Sequence, residues 1–337
     1  MGIEIREVNL NRELPVVEDT FNANFRIKGS RDRFKWLYFS NPDGVATAWF
    51  AIDDRSGAIA GCTAVVPRRV RLKNSDTVVR AWTCSDFCIN PAYRTMGVAI
   101  KLRRVARDAV EAGQSPFLYA HPNDRMLQVH LRVGHVPLGA MVRYAKPLRV
   151  RGGARWQRGA TRLALGFFGR ERLVRRSSDI EVSVQPPADV SAIYDRVAAR
   201  IGTSVVRDHD YLAWRFGQHP LEPHSFLVVR AGGKPVAYAA YTTNDETAMI
   251  KDWLAVDGRA RDQLFAGFIS ECRAKDIASI SLGALESHPD LPALRWFGFV
   301  PRAERSTAIT FAPPAMHADN AVRSPQSWYM TVGDRDM

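Results

Sequence analysis

Two stretches of this sequence carry the same landmarks in the same order, and an internal repeat of that kind restricts the fold more than any other feature of the chain. The first landmark is an aromatic helix ending at proline. Phe34, Trp36, Leu37, Tyr38 and Phe39 precede Pro42 in one half, and Tyr211, Leu212, Trp214 and Phe216 precede Pro220 in the other, with Trp and Pro six positions apart both times. A strand, a glycine-centred turn and a second strand follow, at 48–66 around Gly57 and at 225–241 around Gly232 and Gly233, and both read as β-hairpins. Next comes an aspartate on a later strand, Asp86 and Asp252, and then a tetrapeptide opening on glycine, Gly134-His135-Val136-Pro137 and Gly298-Phe299-Val300-Pro301. Aspartate and glycine are 48 positions apart in the first half and 46 in the second.

A chain of 337 residues suits two domains of ordinary size. Within the first half the patterning predicts a strand at 3–8, a helix at 12–23, the aromatic helix, the hairpin, a strand at 78–89, a helix at 97–111, a strand at 116–120, a helix at 125–132 and a last strand at 136–146. Adjacent strands mixed with helices predict an α/β (α+β) unit, a mixed and mostly antiparallel sheet with helices on its faces. The expected organisation is a first domain at 1–148, a basic linker at 149–178 and a second domain at 179–337.

The linker holds most of the net charge. From Arg143 to Arg176 there are eleven basic residues against Glu171 alone, so ten of the chain's net twelve positive charges lie there. The rest is close to neutral, which argues against a general nucleic-acid surface. Trp156, Leu163, Phe167 and Phe168 are interleaved with these arginines, a mixture suited to peripheral contact with an anionic membrane or to bracing two domains. The apolar run at 163–168 is too short to span a bilayer, and the start of the chain alternates like a strand and lacks a signal's apolar core, so a cytoplasmic protein is expected. Four cysteines in so long a chain do not form a disulfide framework, and none has zinc-ligand spacing, so no metal is expected. Cys84 and Cys88, four apart on one strand, are expected on the same face.

The segment from Asp86 to Leu102 is a strand, a turn and a helix, and it carries the most specific motif. Arg94-x-x-Gly97-x-Ala99, preceded by Phe87-x-Ile89-x-Pro91-x-Tyr93, resembles the signature of the GNAT (Gcn5-related N-acetyltransferase) superfamily. A helix N-terminus offers unpaired N–H donors and the positive end of the helix dipole, and small residues there let phosphates approach the backbone. The resemblance implies an acyl-CoA site in which Arg94, Thr95, Met96, Gly97, Val98 and Ala99 hold the pyrophosphate and the strand residues Phe87 and Ile89 pair with pantetheine. The corresponding stretch of the second half, Ala255 to Asp262, lacks the glycine spacing, so a single CoA site is expected, in the first half.

Further resemblance lies in the segment from Asn123 to His135, where the superfamily has an asparagine opening a helix, a tyrosine seven positions later and a closing Gly-Phe. Here His130 stands at the tyrosine position and His135 at the phenylalanine position. The resemblance implies that Asn123 caps its helix and touches the cofactor, and that His130 protonates the departing CoA thiolate. Asp86, beside the pantetheine strand, is a candidate base for the acceptor amine, against a structural carboxylate as in the repeat's Asp252. Trp36 and Tyr38 are candidates for stacking on a substrate ring, against ordinary burial.

The chain as a whole resembles tandem bacterial acetyltransferases associated with polysaccharide synthesis. That implies transfer of an acetyl group from acetyl-CoA to a primary amine, such as an amino-sugar or another small amine. Two rivals remain at this level: an aminoacyl-tRNA-dependent transferase, and a non-catalytic basic module that binds membrane or nucleic acid on a GNAT scaffold.

Overall fold

A computed structural model describes residues 2–25, 28–94, 96–149, 169–174, 179–244, 246–316 and 321–335. Thr95 and most of the expected linker, 150–168 and 175–178, lie outside these residues. The chain divides into two compact units, neither of which is one continuous stretch. Unit 1 comprises 1–139, 306–327 and 335–337, and unit 2 comprises 140–305 and 328–334.

Unit 1 is built on β1 (Ile3–Glu7), β2 (Thr47–Asp53), β3 (Ile59–Arg71), β4 (Val78–Ile89) and β5 (Leu118–Ala120). Neighbours from β1 to β4 run antiparallel, while β4 and β5 run parallel through Trp82↔Leu118 and Thr83↔Tyr119. On one face lie α1 (Leu10–Asn24) and α2 (Arg31–Tyr38). On the other face lie α3 (Val98–Glu111) and α4 (Asp124–Arg132). Val98, Leu102, Ala106 and Val110 recur every fourth residue and give α3 an apolar stripe, which packs on Trp49, Ala60, Val65, Trp82 and Leu118 of the sheet. Gly134 closes α4 with φ of +94°, a value that suits glycine.

The sequence predicts 136–146 as the last strand of the first half, and a strand does form there, β6 (Val136–Pro147), but from Ala140 onward it belongs to unit 2. There it pairs antiparallel with β12 (Ser279–Leu285), Tyr144 opposite Leu282. The strand that completes the sheet of unit 1 comes from the end of β13 (Val300–Phe311), with Ile309, Thr310 and Phe311 opposite Ala120, Tyr119 and Leu118. The expected domain boundaries at 148 and 179 therefore differ from the observed compact units, because each half's last strand is spent in the other half's sheet.

Unit 2 repeats the same plan. β7 (Ile180–Ser183), β9 (Ser225–Ala231), β10 (Lys234–Thr243) and β11 (Thr247–Ala255) are antiparallel neighbours. β11 and β12 are parallel. A short strand β8 (Ser204–Val205) and the helices α5 (Ser191–Val197), α6 (His209–Leu212), α7 (Gly258–Ala274) and α8 (Leu291–Trp296) complete it. The repeat landmarks fall on corresponding elements: the hairpins are β2–β3 and β9–β10, and the aspartates lie on β4 and β11. Within the basic segment, 169–174 is anchored to this unit by Glu171, which is buried against Lys146 (3.3 Å) and Arg273 (2.8 Å). No described helix is long and apolar enough to cross a membrane.

Candidate active site

Two irregularities open a slot in the sheet of unit 1. The first is a bulge in β4. Cys62 pairs with Cys88 but Ala64 pairs with Ser85, so three steps on β4 face two on β3, and Asp86 takes up the extra residue with φ of +42°. The second is the shortness of the β4–β5 ladder, which ends at Thr83, so that residues 84–89 part from β5 like one side of a wedge. The bulge also reverses the side-chain alternation. Cys84 joins the core under α3 together with Phe87 and Ile89, whereas the Cys88 thiol points to the carbonyl of Thr20 in α1. The expectation that Cys84 and Cys88 share a face is corrected: one inserted residue puts them on opposite sides.

A pocket of about 160 Å³ occupies this wedge. Its walls are Ser85, Asp86 and Phe87 of β4, Ala120 to Asn123 at the end of β5, Arg103 of α3, Met126 and His130 of α4, and Phe21 and Phe25 of α1. The two phenylalanine rings stack at 4.2 Å with an interplanar angle of 6°. Asn123 caps α4 by accepting from the Met126 N–H (3.0 Å), as the sequence predicts.

Asp86 is held tightly. Its carboxylate accepts from Arg33 Nη1 at 3.0 Å and Nη2 at 2.6 Å and from the Tyr38 hydroxyl at 2.8 Å, and all three side chains are buried. Ser30 caps α2 and sets Arg33 in its first turn, where the guanidinium also lies over the Phe21 ring at 5.2 Å. A proton acceptor has to lend an oxygen lone pair to the incoming proton. Asp86 instead spends its lone pairs on a bidentate ion pair and a phenol, which is the geometry of a structural carboxylate. Asp252 of unit 2 is held alike, by Arg207 (3.0 Å) and the Tyr238 hydroxyl (2.6 Å). Tyr38 thus supports Asp86 from within the core, and Trp36 is buried too. Neither lines the pocket, so their assignment to substrate stacking is corrected: α2 turns its aromatic face inward, and the pocket's aromatic wall is Phe21 and Phe25.

His130 does line the pocket. It is buried, its Nδ1 has no hydrogen-bond partner among the described residues, and its ring meets His135 edge to face at 4.6 Å. Burial, aided by the positive charge of Arg103, pushes its pKa well below the usual histidine value, so the ring is neutral at pH 7. The resting ring therefore carries no proton to give a thiolate, and one would have to be acquired during the reaction. His135 donates from its Nδ1–H to the His130 carbonyl at 3.1 Å, and burial lowers its pKa to about 3. One ligand atom each from Cys84, His130 and His135 lie within 4.8 Å of one another, a cluster the sequence spacing does not announce.

The glycine loop lies at the start of α3. Gly97 is the N-cap with φ of +72°, no side chain among the described residues caps the helix, and the space around a would-be Cβ is empty to 4 Å. Arg94 is exposed, Met96 and Ala99 are half-buried, and Val98 is anchored in the core. The first-turn amides are thus presented toward an open surface.

In unit 2 both corresponding places are occupied by the chain itself. Asp257 caps α7, its Oδ1 accepting from the Ala260 N–H at 2.8 Å, so a carboxylate already sits at the helix N-terminus. The gap beside β11 and β12 is filled by residues 328–334. The Leu285 N–H donates to the Met330 carbonyl (3.1 Å), Thr331 bridges Ala284 and donates from Oγ1 to Asp252 (2.7 Å), and Arg207 ties Asp252 to Asp334 (2.8 Å). A Cβ on Gly333 would lie 3.0 Å from the Lys251 carbonyl oxygen, so the plug fits closely.

The chain shares its fold with solved structures of GCN5-related N-acetyltransferases. No protein-family model matches the sequence, and no curated protein does. Among solved structures, a conserved Enterococcus faecalis protein described as a probable N-acyltransferase superposes with a TM-score of 0.68 at 14% identity, over 93% of this chain and 73% of that one. A GCN5-related N-acetyltransferase from Anabaena variabilis gives 0.66 at 14% identity, over 91% and 72%. Eis1 from Mycobacterium abscessus gives 0.59 at 13% identity, over 92% and 73%. At identities this low the likeness shows a shared fold.

Proposed function

We propose that the chain is an acyl-CoA-dependent N-acyltransferase with one active site, in unit 1, that moves an acetyl group from acetyl-CoA to a primary amine of a small acceptor such as an amino-sugar. The observation that carries this reading is the contrast between the units: an open wedge and an uncapped helix N-terminus in one, the same two places filled by Trp328–Asp334 and Asp257 in the other. In unit 1 the amides from Gly97 to Ala99, with Arg94 beside them, hold the pyrophosphate, and Thr95 is assigned there by the motif alone. Pantetheine runs along Phe87 to Ile89, where β4 has lost its strand neighbour, and Asn123 borders it.

The thioester then reaches the pocket beside His130. After the amine attacks, the nitrogen of the tetrahedral adduct is far more acidic than a free ammonium, so a neutral imidazole of depressed pKa is a sufficient acceptor for its proton. The imidazolium so formed is strained by burial and by Arg103, and it passes the proton to the departing sulfur. His130 is thus proposed as a relay, and Asp86 as the anchor of the bulge that shapes the slot.

Calorimetry with acetyl-CoA tests the reading. One molecule should bind per chain, and Gly97→Glu, which sets a carboxylate before the helix, should abolish binding while circular dichroism stays unchanged. Two sites per chain, or full affinity in the variant, would place the cofactor elsewhere.

A further inference from the structure

The pocket contains a cation that nothing in the described structure neutralises. Arg103 projects from α3, is 3% exposed and lines the pocket. Its Nε and Nη1 are shielded from solvent and have no hydrogen-bond partner among the described residues, and its guanidinium carbon lies over the face of Phe87, 4.5 Å from the ring centre. Arg33 and Arg207, as deeply buried, each hold a carboxylate with two nitrogens. A buried guanidinium without such a counterion is unfavourable, and a cavity at its side is where a counterion can arrive.

The sign of that ligand is set by Arg103 and not by the rings beside it. His130 Nδ1 and His135 Nε2 also lack partners among the described residues, and together with Cys84 these rings form a donor set that would suit a borderline metal ion if it stood alone. It does not stand alone. The charge of Arg103 acts on both imidazoles and helps keep them neutral. A divalent cation would be brought against that fixed positive charge, whereas an anion would meet it as a partner.

We propose that Arg103 binds a carboxylate that one of the two substrates carries into the pocket. The planar guanidinium fork matches a carboxylate in two hydrogen bonds, which makes it a selector of substrate and not merely a positive field. The carboxylate has two chemical sources, the far end of a dicarboxylic acyl group on CoA or the amine acceptor itself. This inference rests on the acyl-transfer reading for the identity of the carrier, but the cation site can be tested without it.

Calorimetry on the full chain compares succinyl-CoA with acetyl-CoA, and β-alanine with ethanolamine in the presence of CoA. One carboxylate-bearing probe is expected to bind about 10- to 100-fold more tightly than its counterpart without the carboxylate, the range for a charged hydrogen-bonded pair, and Arg103→Gln should erase the preference. Preference for succinyl-CoA assigns the carboxylate to the acyl group, and preference for β-alanine assigns it to the acceptor. No preference in the unmodified protein, or one that survives Arg103→Gln, overturns the proposal. Succinate alone asks only for the cation. If it binds and Arg103→Gln abolishes binding while neither thioester binds, the carboxylate site stands and the acyl-transfer reading falls. Because the unliganded protein buries an unpaired charge, Arg103→Met should raise its thermal midpoint; a lowered midpoint would make Arg103 a structural brace and sink the idea.

Discussion

Replacing Asp86 by asparagine separates the two roles that an aspartate beside this pocket can have. Asparagine tolerates the positive φ of +42° at the bulge almost as well as aspartate, so the change removes the charge without straining the backbone. What it leaves is Arg33, whose side chain is 4% exposed, facing a neutral amide where a carboxylate at 2.6 Å used to be. Removing one partner of a buried ion pair costs about 3–5 kcal/mol, because the surviving charge stays desolvated. In a unit of this size that corresponds to a fall in melting temperature on the order of 10 °C. Urea unfolding followed by tryptophan fluorescence should show the loss, and the double variant Arg33→Met with Asp86→Asn should recover most of it, since it leaves no orphan charge. If Asp86 were the base, the single variant would keep its unfolding midpoint and lose turnover. An unchanged midpoint in Asp86→Asn, with activity gone, would refute the anchoring argument.

Three further outcomes follow from the same structure. Burial lowers the pKa of His121 and His135 to about 3 and of His288 to about 4, below the ordinary 6.5. The unfolded chain therefore takes up protons that the folded one refuses. The associated stability is complete above pH 6.5 and is lost as the pH falls toward the folded values, by about 2 kcal/mol per histidine at pH 5; urea midpoints at pH 7.5 and 5 check this, and a flat profile contradicts it. Arg207→Met leaves Asp252 and Asp334 buried together without their cation and should destabilise the protein by at least about 3 kcal/mol, measured by urea unfolding. Asp257→Ala removes the cap of α7 at a cost of about 1 kcal/mol, yet the acetyl-CoA stoichiometry should remain one, because 328–334 still fills the gap; a second bound molecule would show that the cap alone had kept the site shut.

Much of the architecture was legible because it is local. The 3.6-residue stripe of α3, the hairpins at Gly57 and at Gly232-Gly233, and the left-handed Gly97 and Gly134 are written in neighbouring residues. The cap at Asn123 and the asymmetry of the two candidate CoA loops were legible for the same reason. Whatever depends on distant partners was not. Asp86 reads as a candidate base until Arg33, 53 positions earlier, is found against it. The bulge reverses the side-chain parity of β4, and nothing in the order Cys84-Ser85-Asp86-Phe87-Cys88 marks an inserted residue. The aromatic pattern of α2 gives its period but not which face is inward, so Trp36 and Tyr38 were candidates where Phe21 and Phe25 form the wall. Arg103 sits in the buried stripe of a basic helix, and only the empty space beside it distinguishes it from a surface arginine. Residues 328–334 carry no periodic signal, since an irregular segment is ordered here by the gap it enters.

The exchange of last strands also governs how the chain reaches this structure. Ile309 must find Ala120 across 189 positions, and Leu282 must find Tyr144 across 138, so the two sheets close through contacts of very large sequence separation. Loop closure over such distances is slow, and the usual order in which an amino-terminal domain folds before the next is made does not apply, because the first sheet lacks its edge until residues 306–311 exist. Until then β5 presents an open strand edge. The pairing that satisfies it within one chain is satisfied equally by a second chain, which makes the crowded refolding mixture a source of interlocked dimers and the dilute one a source of monomers.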